Sequence, residues 1–250
     1  MKLARLNDGP EIFHTIQGEG ISAGSPAVFV RASLCNLHCR WCDTEYTWNF
    51  AGTPWEHDKD AQPGGAKHDK AEVIIELPPA EVAKEIARHP CPRVVLTGGE
   101  PLLQQGDWLE VIRHLRQRDP AYLFEVETNG TLIPDPDFED AIDQFNVSPK
   151  LAHAGMPEKL RLVPEALAHF ASSPKAWFKF VAARPEDLDE IDILAERFSL
   201  PAEHILIMPE GRTAQALDRH GPALVDACLS RGWRFGDRLH VRLWGDRRGV

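Results

Sequence analysis

From Pro79 onward the chain switches repeatedly between helical and strand periodicity, and this restricts the fold more than any single residue does. Pro79 to His89 predicts a helix, with Pro79 in its first turn and Val82, Ile86 and Ala87 on one face. Arg93 to Thr97 is a strand-type run. Helical spacing returns over Asp107–Arg118, where Leu109, Ile112 and Leu115 are placed for burial. A strand over Tyr122–Glu127, a short helix from Pro136 to Gln144 and a strand at Phe145–Val147 follow. Next come a helix at Pro164–Ala171, a strand at Trp177–Val181, a helix at Pro185–Phe198 and a strand at His204–Met208. A helical stretch then reaches Arg231, broken near Gly221-Pro222, and Arg238–Trp244 reads as a last strand. Upstream, Pro26 to Ser33 is a strand whose buried run is Ala27 to Val30. Strands separated by helices pair in parallel through crossovers. About six such units are too few for an eight-fold barrel, leaving a partial barrel or an open doubly wound sheet.

The 250 residues are 43% hydrophobic, which suits one domain over 1–250 with a real core. Residues 49–71 break the pattern: glycine, proline, histidine and charge dominate, so they read as an exposed flap inserted in the domain. His57 and His68 are candidate ligands there. A net charge of −10 leaves no basic stripe for nucleic acid. The N-terminus has no export pattern and no apolar run approaches a membrane span, so a cytoplasmic protein without a membrane partner is expected. In a reducing compartment, five cysteines point to metal binding rather than disulfides. Cys91 and Cys228 stand alone and read as small buried side chains.

In parallel α/β folds ligands bind at the carboxyl ends of strands. Those positions carry Cys35-Asn36-Leu37-His38-Cys39-Arg40-Trp41-Cys42, Thr97-Gly98-Gly99-Glu100-Pro101, Glu127-Thr128-Asn129-Gly130, Ser148-Pro149-Lys150 and Met208-Pro209-Glu210-Gly211. Three thiols within eight residues let one loop surround a single inorganic centre. Thiolates select zinc, copper(I) or iron–sulfur, and a closed zinc or ferredoxin-type site wants four ligands. Either a histidine completes a zinc site, or three thiolates hold a cluster with one iron left open. Gly98 and Gly99 lack Cβ and would let the backbone approach a ligand, and Glu100 could accept from an ammonium group. Ser148 and Lys150 suit a ribose hydroxyl and a carboxylate.

The Cys-x3-Cys-x2-Cys loop with Gly-Gly-Glu-Pro after the next strand resembles the radical S-adenosylmethionine (SAM) superfamily. The likeness narrows with Phe13 to Gly20, Phe29-Val30-Arg31, Cys42-Asp43-Thr44, Glu127 to Gly130, Ser148 to Lys150 and Trp244 to Val250. These resemble the 7-carboxy-7-deazaguanine synthases across nearly the whole chain. The resemblance implies a shortened barrel of the radical SAM type. It implies a carbon–nitrogen lyase turning 6-carboxy-5,6,7,8-tetrahydropterin into 7-carboxy-7-deazaguanine and ammonia, on the route to queuosine in tRNA and other 7-deazapurines.

The implied cofactors are a [4Fe–4S] cluster on Cys35, Cys39 and Cys42, SAM, and Mg²⁺ at Thr44, whose hydroxyl is a hard ligand of the kind Mg²⁺ takes. One-electron reduction of the sulfonium would then give a 5′-deoxyadenosyl radical. SAM contacts map to Trp41, Cys42, Asp43, Gly99, Glu100, Ser148, Pro149, Lys150 and the turn Met208, Pro209, Glu210, Gly211. Substrate contacts map to Ile16, Gln17, Gly18, Glu19, Arg31, Thr97 and the carboxylate of Val250. A guanidinium at Arg31 would suit the pterin carboxylate on chemical grounds. His240, on the last strand, is a further candidate. Implied partners are an external one-electron reductant such as flavodoxin or ferredoxin, and a second copy in a homodimer. Two rival readings remain at this stage: an activase of a glycyl-radical partner, and a non-enzymatic zinc module using His38 or His57.

Overall fold

The computed structural model describes residues 1–250, the side chain of Pro185 excepted. Its strands are Lys2–Leu6 (β1), Gly9–Pro10 (β2), Ile12–Ile16 (β3), Pro26–Ala32 (β4), Ile74–Glu76 (β5), Arg93–Gly98 (β6), Leu123–Thr128 (β7), Gln144–Val147 (β8), Ala176–Ala182 (β9), Ile205–Pro209 (β10) and Arg234–Phe235 (β11). Its α-helices are Lys70–Val73 (α1), Pro79–Ile86 (α2), Gln105–Arg118 (α3), Pro136–Ala141 (α4), Glu158–Arg161 (α5), Pro164–Ser172 (α6), Pro185–Phe198 (α7), Ala214–Arg231 (α8) and Leu239–Trp244 (α9). The sheet runs β11-β10-β9-β8-β7-β6-β4-β1-β2, with β3 on β4 and β5 on β1. From β4 through β11 every pairing along this order is parallel. The pairings of β1 and β3 are antiparallel. The sheet does not close, so this is the partial barrel, with six main parallel strands and one short seventh.

Side-chain alternation explains how one sheet serves both core and site. Phe124 and Val126, Phe145 and Val147, and Phe178 and Phe180 face the helices and join Trp108 and Ile112 in one apolar cluster. The intervening positions carry Glu125, Glu127, Asn146 and Lys179 on the opposite, inner face. Glu125, Asn146 and Lys179 are buried and Glu127 is half-buried, and they bond one another beneath the strand ends.

Two sequence expectations are corrected. The helix near Gly221-Pro222 is not broken: α8 runs through Pro222, capped by the Thr213 hydroxyl and ended at Gly232 with φ of 69°. Proline removes one backbone donor in mid-helix, and packing on β10 and β11 outweighs that loss. Arg238–Trp244 is not a strand. Its alternation of Leu239, Val241 and Leu243 imitates one, but the two-residue β11 already lies beside β10. The segment instead crosses the mouth as α9, the Leu239 N–H donating to the Gly18 carbonyl at 2.9 Å. Residues 61–66 are exposed, whereas Phe50 and His57 are buried. Ala51 N–H donates to the His68 carbonyl and His68 N–H to the Asn49 carbonyl, so both ends of the 49–71 segment are tied together.

Candidate active site

The strand ends surround one cavity of about 270 Å³. Cys35, Cys39 and Cys42 all line it, and among the described residues so do seven lysine or arginine side chains against five aspartate or glutamate side chains and the C-terminal Val250. In a chain of net charge −10 this is a local inversion that favours anionic ligands.

The cysteine loop begins at Leu34, a non-glycine residue with φ of 74°. Such a conformation persists only when its surroundings over-determine it. Here Leu34 N–H donates to the Thr47 carbonyl at 2.9 Å, and its own carbonyl accepts from Glu100 N–H at 2.9 Å. Gly98 and Gly99 serve the same seam. A Cβ on Gly98 would lie 2.2 Å from the Ala32 oxygen, and one on Gly99 1.9 Å from the Leu34 oxygen. The glycine pair therefore admits the neighbouring backbone at the root of the cysteine loop, where the sequence had suggested a ligand. Asn129 continues the support, donating to Asn36 Oδ1 at 2.8 Å, while Asn36 donates to Thr131 Oγ1 at 2.8 Å.

The thiols suit an iron–sulfur centre. All five cysteines are free. Burial pushes the thiols up, Cys39 to about 12, and Cys35 and Cys42 rise as well. Buried sulfurs of this kind become thiolates only beside positive charge. Among the described residues no three Cys, His, Asp or Glu side chains converge tightly enough for a single ion. A cubane spreads its ligands over three separate corners, so thiols around a common cavity fit it better than they fit zinc. The histidines named for zinc are otherwise engaged. His38 stacks on Trp55 with ring centroids 4.0 Å apart. His57 uses both ring nitrogens, on the Cys42 carbonyl at 2.8 Å and on Lys59 N–H at 3.1 Å. His68 does not line the cavity.

The same cavity holds an ionic cluster, buried at Lys179, half-buried at Glu19, Glu127 and Arg238, and exposed at Asp43. Lys179 Nζ bonds Glu19 and Glu127, each at 2.7 Å. Arg238 donates to Glu19 at 2.9 Å and to Asp43 at 2.5 Å. Burial alone would raise the Glu19 pKa, but Lys179, Arg238 and His240 overcome it and hold the carboxyl well below its usual range. Glu127 shares only Lys179, and burial wins, so its pKa is raised. Arg31 gives its Nε to the fully buried Glu11 at 2.8 Å. Glu11 also accepts from Tyr46 at 3.2 Å and from Arg248 at 2.5 Å. Among the described residues nothing hydrogen-bonds the two terminal nitrogens of Arg31, so they are free for a ligand carboxylate.

Most expected site residues meet at this cavity: Ile16, Gln17, Gly18, Glu19, Arg31, Thr97 and Val250 from the expected substrate set, and Trp41, Asp43, Thr44, Gly99, Ser148, Lys150, Met208 and Glu210 from the SAM and Mg²⁺ sets. Glu100, Pro149, Pro209 and Gly211 do not line it. The Glu100 carboxylate is buried under the loop, accepting from Leu102 N–H, Thr128 Oγ1 and Asn129 N–H at 2.7–3.0 Å, where the sequence had it meeting an ammonium. The Gly211 carbonyl accepts from Arg238 at 2.8 Å. His240 lines the cavity from α9 rather than from a strand, over Gly18, where a Cβ would sit 2.2 Å from its Nδ1. Sequence reasoning missed Lys179, Arg238, Glu11 and Tyr46. A lysine at the centre of Ala176-Trp177-Phe178-Lys179-Phe180-Val181-Ala182 was the available signal, since a cation there must be paired.

Residues 30–153 match the Radical SAM superfamily. The chain is 37% identical over 243 residues to the 7-carboxy-7-deazaguanine synthase of Pyrobaculum aerophilum, spanning 96% of this chain and 95% of that one. It is 34% identical over 265 residues to the namesake from Halobacterium salinarum, spanning 96% and 93%. The crystal structure of QueE from Escherichia coli superposes with a TM-score of 0.64 at 25% identity, covering 96% and 95% of the two chains.

Proposed function

Because this chain belongs to the 7-carboxy-7-deazaguanine synthases of the radical SAM superfamily, we propose that its cavity binds 6-carboxy-5,6,7,8-tetrahydropterin between Arg31 and the thiol loop and converts it to 7-carboxy-7-deazaguanine with loss of ammonia. The observation that carries this reading is the single cavity lined both by three free thiols and by Arg31, Glu19 and Lys179. Cys35, Cys39 and Cys42 hold a [4Fe–4S] cluster, and SAM bound at it supplies, on one-electron reduction, a carbon radical able to take a hydrogen atom.

The other roles are those of the chain itself. The terminal nitrogens of Arg31 pair with the substrate carboxylate, their direction fixed by the Nε bond to Glu11. Gln17 and Gly18, with Ile16, Thr97 and Val250, enclose the ring. Glu19, kept ionised by Lys179 and Arg238, accepts from its donor edge. His240, whose pKa burial lowers, stands at the same edge with its Nε2 3.9 Å from Glu19. Trp41 offers a face to SAM, Asp43 and Lys150 face its charged groups, and Ser148, which accepts from Lys150 at 2.9 Å and donates to no group among the described residues, faces a hydroxyl. Gly99, Met208 and Glu210 complete that wall. Glu100, Pro149, Pro209 and Gly211 act from behind it by holding the turns. The Thr44 hydroxyl, 3.5 Å from Cys42 Sγ, is the hard ligand for Mg²⁺, its remaining shell coming from substrate and water.

The site calls for an external one-electron reductant such as flavodoxin or ferredoxin. A homodimer in the cytoplasm is the assembly we propose; among the described residues no helix is long and apolar enough to cross a membrane. Anaerobic reconstitution should give about four irons per chain. Dithionite, SAM, Mg²⁺ and the carboxypterin should then yield the deazaguanine, detected by mass spectrometry. A reconstituted protein that consumes SAM but leaves the carboxypterin unchanged defeats the substrate assignment.

A further inference from the structure

The segment 245–250 walls one side of the cavity, and all six of its residues line it. Among the described residues no backbone–backbone hydrogen bond ties 246–250 to the rest of the chain, so side chains and packing hold it there. Asp246 pairs with Arg212 at 3.2 Å near the surface. Gly249 turns with φ of 73° and lies so close to β1 that a Cβ would sit 2.6 Å from Leu6 Cδ2. Between them Arg248 reaches inward. Its guanidinium lies 3.6 Å over the Tyr46 ring. It donates to the Arg5 carbonyl at 2.9 Å and to Glu11 Oε2 at 2.5 Å.

Glu11 is where this segment meets the ligand side of the cavity. It stands just ahead of β3 and is fully buried. Its N–H donates to the Ala4 carbonyl at 2.8 Å and its carbonyl accepts from Arg31 N–H at 3.1 Å, so bonds to β1 and β4 fix its backbone. Its two carboxylate oxygens are divided between two cations. Oε1 accepts from Arg31 Nε at 2.8 Å and from the Tyr46 hydroxyl at 3.2 Å, while Oε2 accepts from Arg248. Tyr46 therefore bonds the carboxylate with its hydroxyl and carries Arg248 on its face. An ion pair between two exposed side chains is weak, but here the carboxylate has no water to fall back on. Members of such a buried network act together rather than additively. A shift of the carboxylate that loosens Arg248 also turns Arg31.

We propose that Glu11 is a positioning residue shared by the substrate and the 245–250 segment: one oxygen aims the Arg31 fork at the substrate carboxylate, the other seats Arg248, and the two events are coupled. This rests on the reading of Arg31 as the partner of the substrate carboxylate. A carboxylate on the terminal nitrogens of Arg31 holds that guanidinium, and through it Glu11, where Arg248 needs it. By linkage, a seated Arg248 strengthens the hold on the carboxylate by the same factor. Glutamine at position 11 has a single acceptor oxygen, so it can serve either cation but not both.

The test uses the full chain, reconstituted anaerobically with SAM and Mg²⁺, as wild type, Arg248→Ala, Arg248→Lys, Glu11→Gln and the double variant Glu11→Gln/Arg248→Ala. The Arg248 side chain is 37% exposed and its removal leaves Glu11 paired with Arg31, so the fold should survive. KM for the carboxypterin should rise at least about fivefold in Arg248→Ala. It should return toward wild type in Arg248→Lys, which keeps a cation on the Tyr46 face. The double variant should exceed Glu11→Gln by less than about twofold, whereas independent sites would multiply their effects. Brief trypsin treatment without reductant reads the segment directly, since cleavage after Arg247 tracks its open population. Saturating carboxypterin should slow that cleavage several-fold in wild type and much less in Arg248→Ala. An unmoved KM in Arg248→Ala, single effects that multiply in the double variant, or cleavage equally slowed in wild type and Arg248→Ala overturns the proposal while leaving the enzyme's identity intact. A wild-type protein that neither binds nor converts the carboxypterin overturns the reading of Arg31 beneath it.

Discussion

Replacing Lys179 with methionine removes a charge and little volume from the most densely ionic part of the site. The side chain is 8% exposed and bonds Glu19 and Glu127, each at 2.7 Å. Glu19 keeps Arg238 at 2.9 Å, so the loss falls on Glu127. That carboxyl retains only the neutral donors Gln17 at 3.3 Å and Asn146 at 3.0 Å. Removing one partner of a buried ion pair costs roughly 3–5 kcal/mol. Glu127 can escape by taking a proton, which places the expected loss near the lower end, about 3 kcal/mol. With a urea slope of about 3 kcal/mol per molar, the unfolding midpoint falls by about 1 M. The pH dependence carries a definite sign. Burial already raises the folded pKa of Glu127 above the ordinary value, so between the unfolded and folded values the native state holds the extra proton and stability declines as pH rises. Loss of Lys179 widens that window upward. The deficit should therefore be smaller at about pH 5 than at about pH 8. Adding Glu127→Gln removes the stranded charge and should recover most of the loss. Urea titrations followed by circular dichroism at both pH values decide the matter. A loss below about 1 kcal/mol, a deficit indifferent to pH, or a double variant no better than the single one would refute the reasoning.

Cys39→Ala should lower bound iron well below wild type after identical reconstitution, read by iron analysis, and abolish product formation. Arg31→Lys keeps the charge but not the fork; KM for the carboxypterin should rise about 10- to 100-fold, the worth of a charged hydrogen bond. Glu11, fully buried against Arg31 and Arg248, has a folded pKa below the ordinary value because those cations outweigh its burial. Its contribution is present above the unfolded value of about 4.3 and fades as pH falls through the folded one. Glu11→Gln should therefore flatten the acid limb of the stability curve, measured by thermal melts at stepped pH. Gly99→Ala would set a Cβ 1.9 Å from the Leu34 oxygen. The variant should accumulate as insoluble protein or melt well below wild type, and a normal melting temperature would show that the seam can open at no cost.

The alternation of strand and helix, and the polar turn at each strand's carboxyl end, were readable in the primary structure because both are local. Period-two runs such as Val94-Val95-Leu96 and helical spacing such as Leu109, Ile112 and Leu115 survive in any context that buries them. The cysteine spacing was readable for the same reason, since three ligands of one centre lie within eight residues. The N-terminal strands β1 and β3 were not, because each is a partner to β4 and has little pattern of its own. α9 was misread because six residues of alternating apolar character fit a strand or a helix equally, and contact with Gly18 made the choice. Lys179, Glu127 and Glu19 come from distant parts of the chain and meet only when β7 and β9 lie side by side on the inner face of an open barrel, with the turn after β3 above them. Their charges depend on one another through space. No neighbouring residue along the chain records which carboxylate keeps its proton, or that the glycines at the end of β6 yield to backbone rather than to ligand.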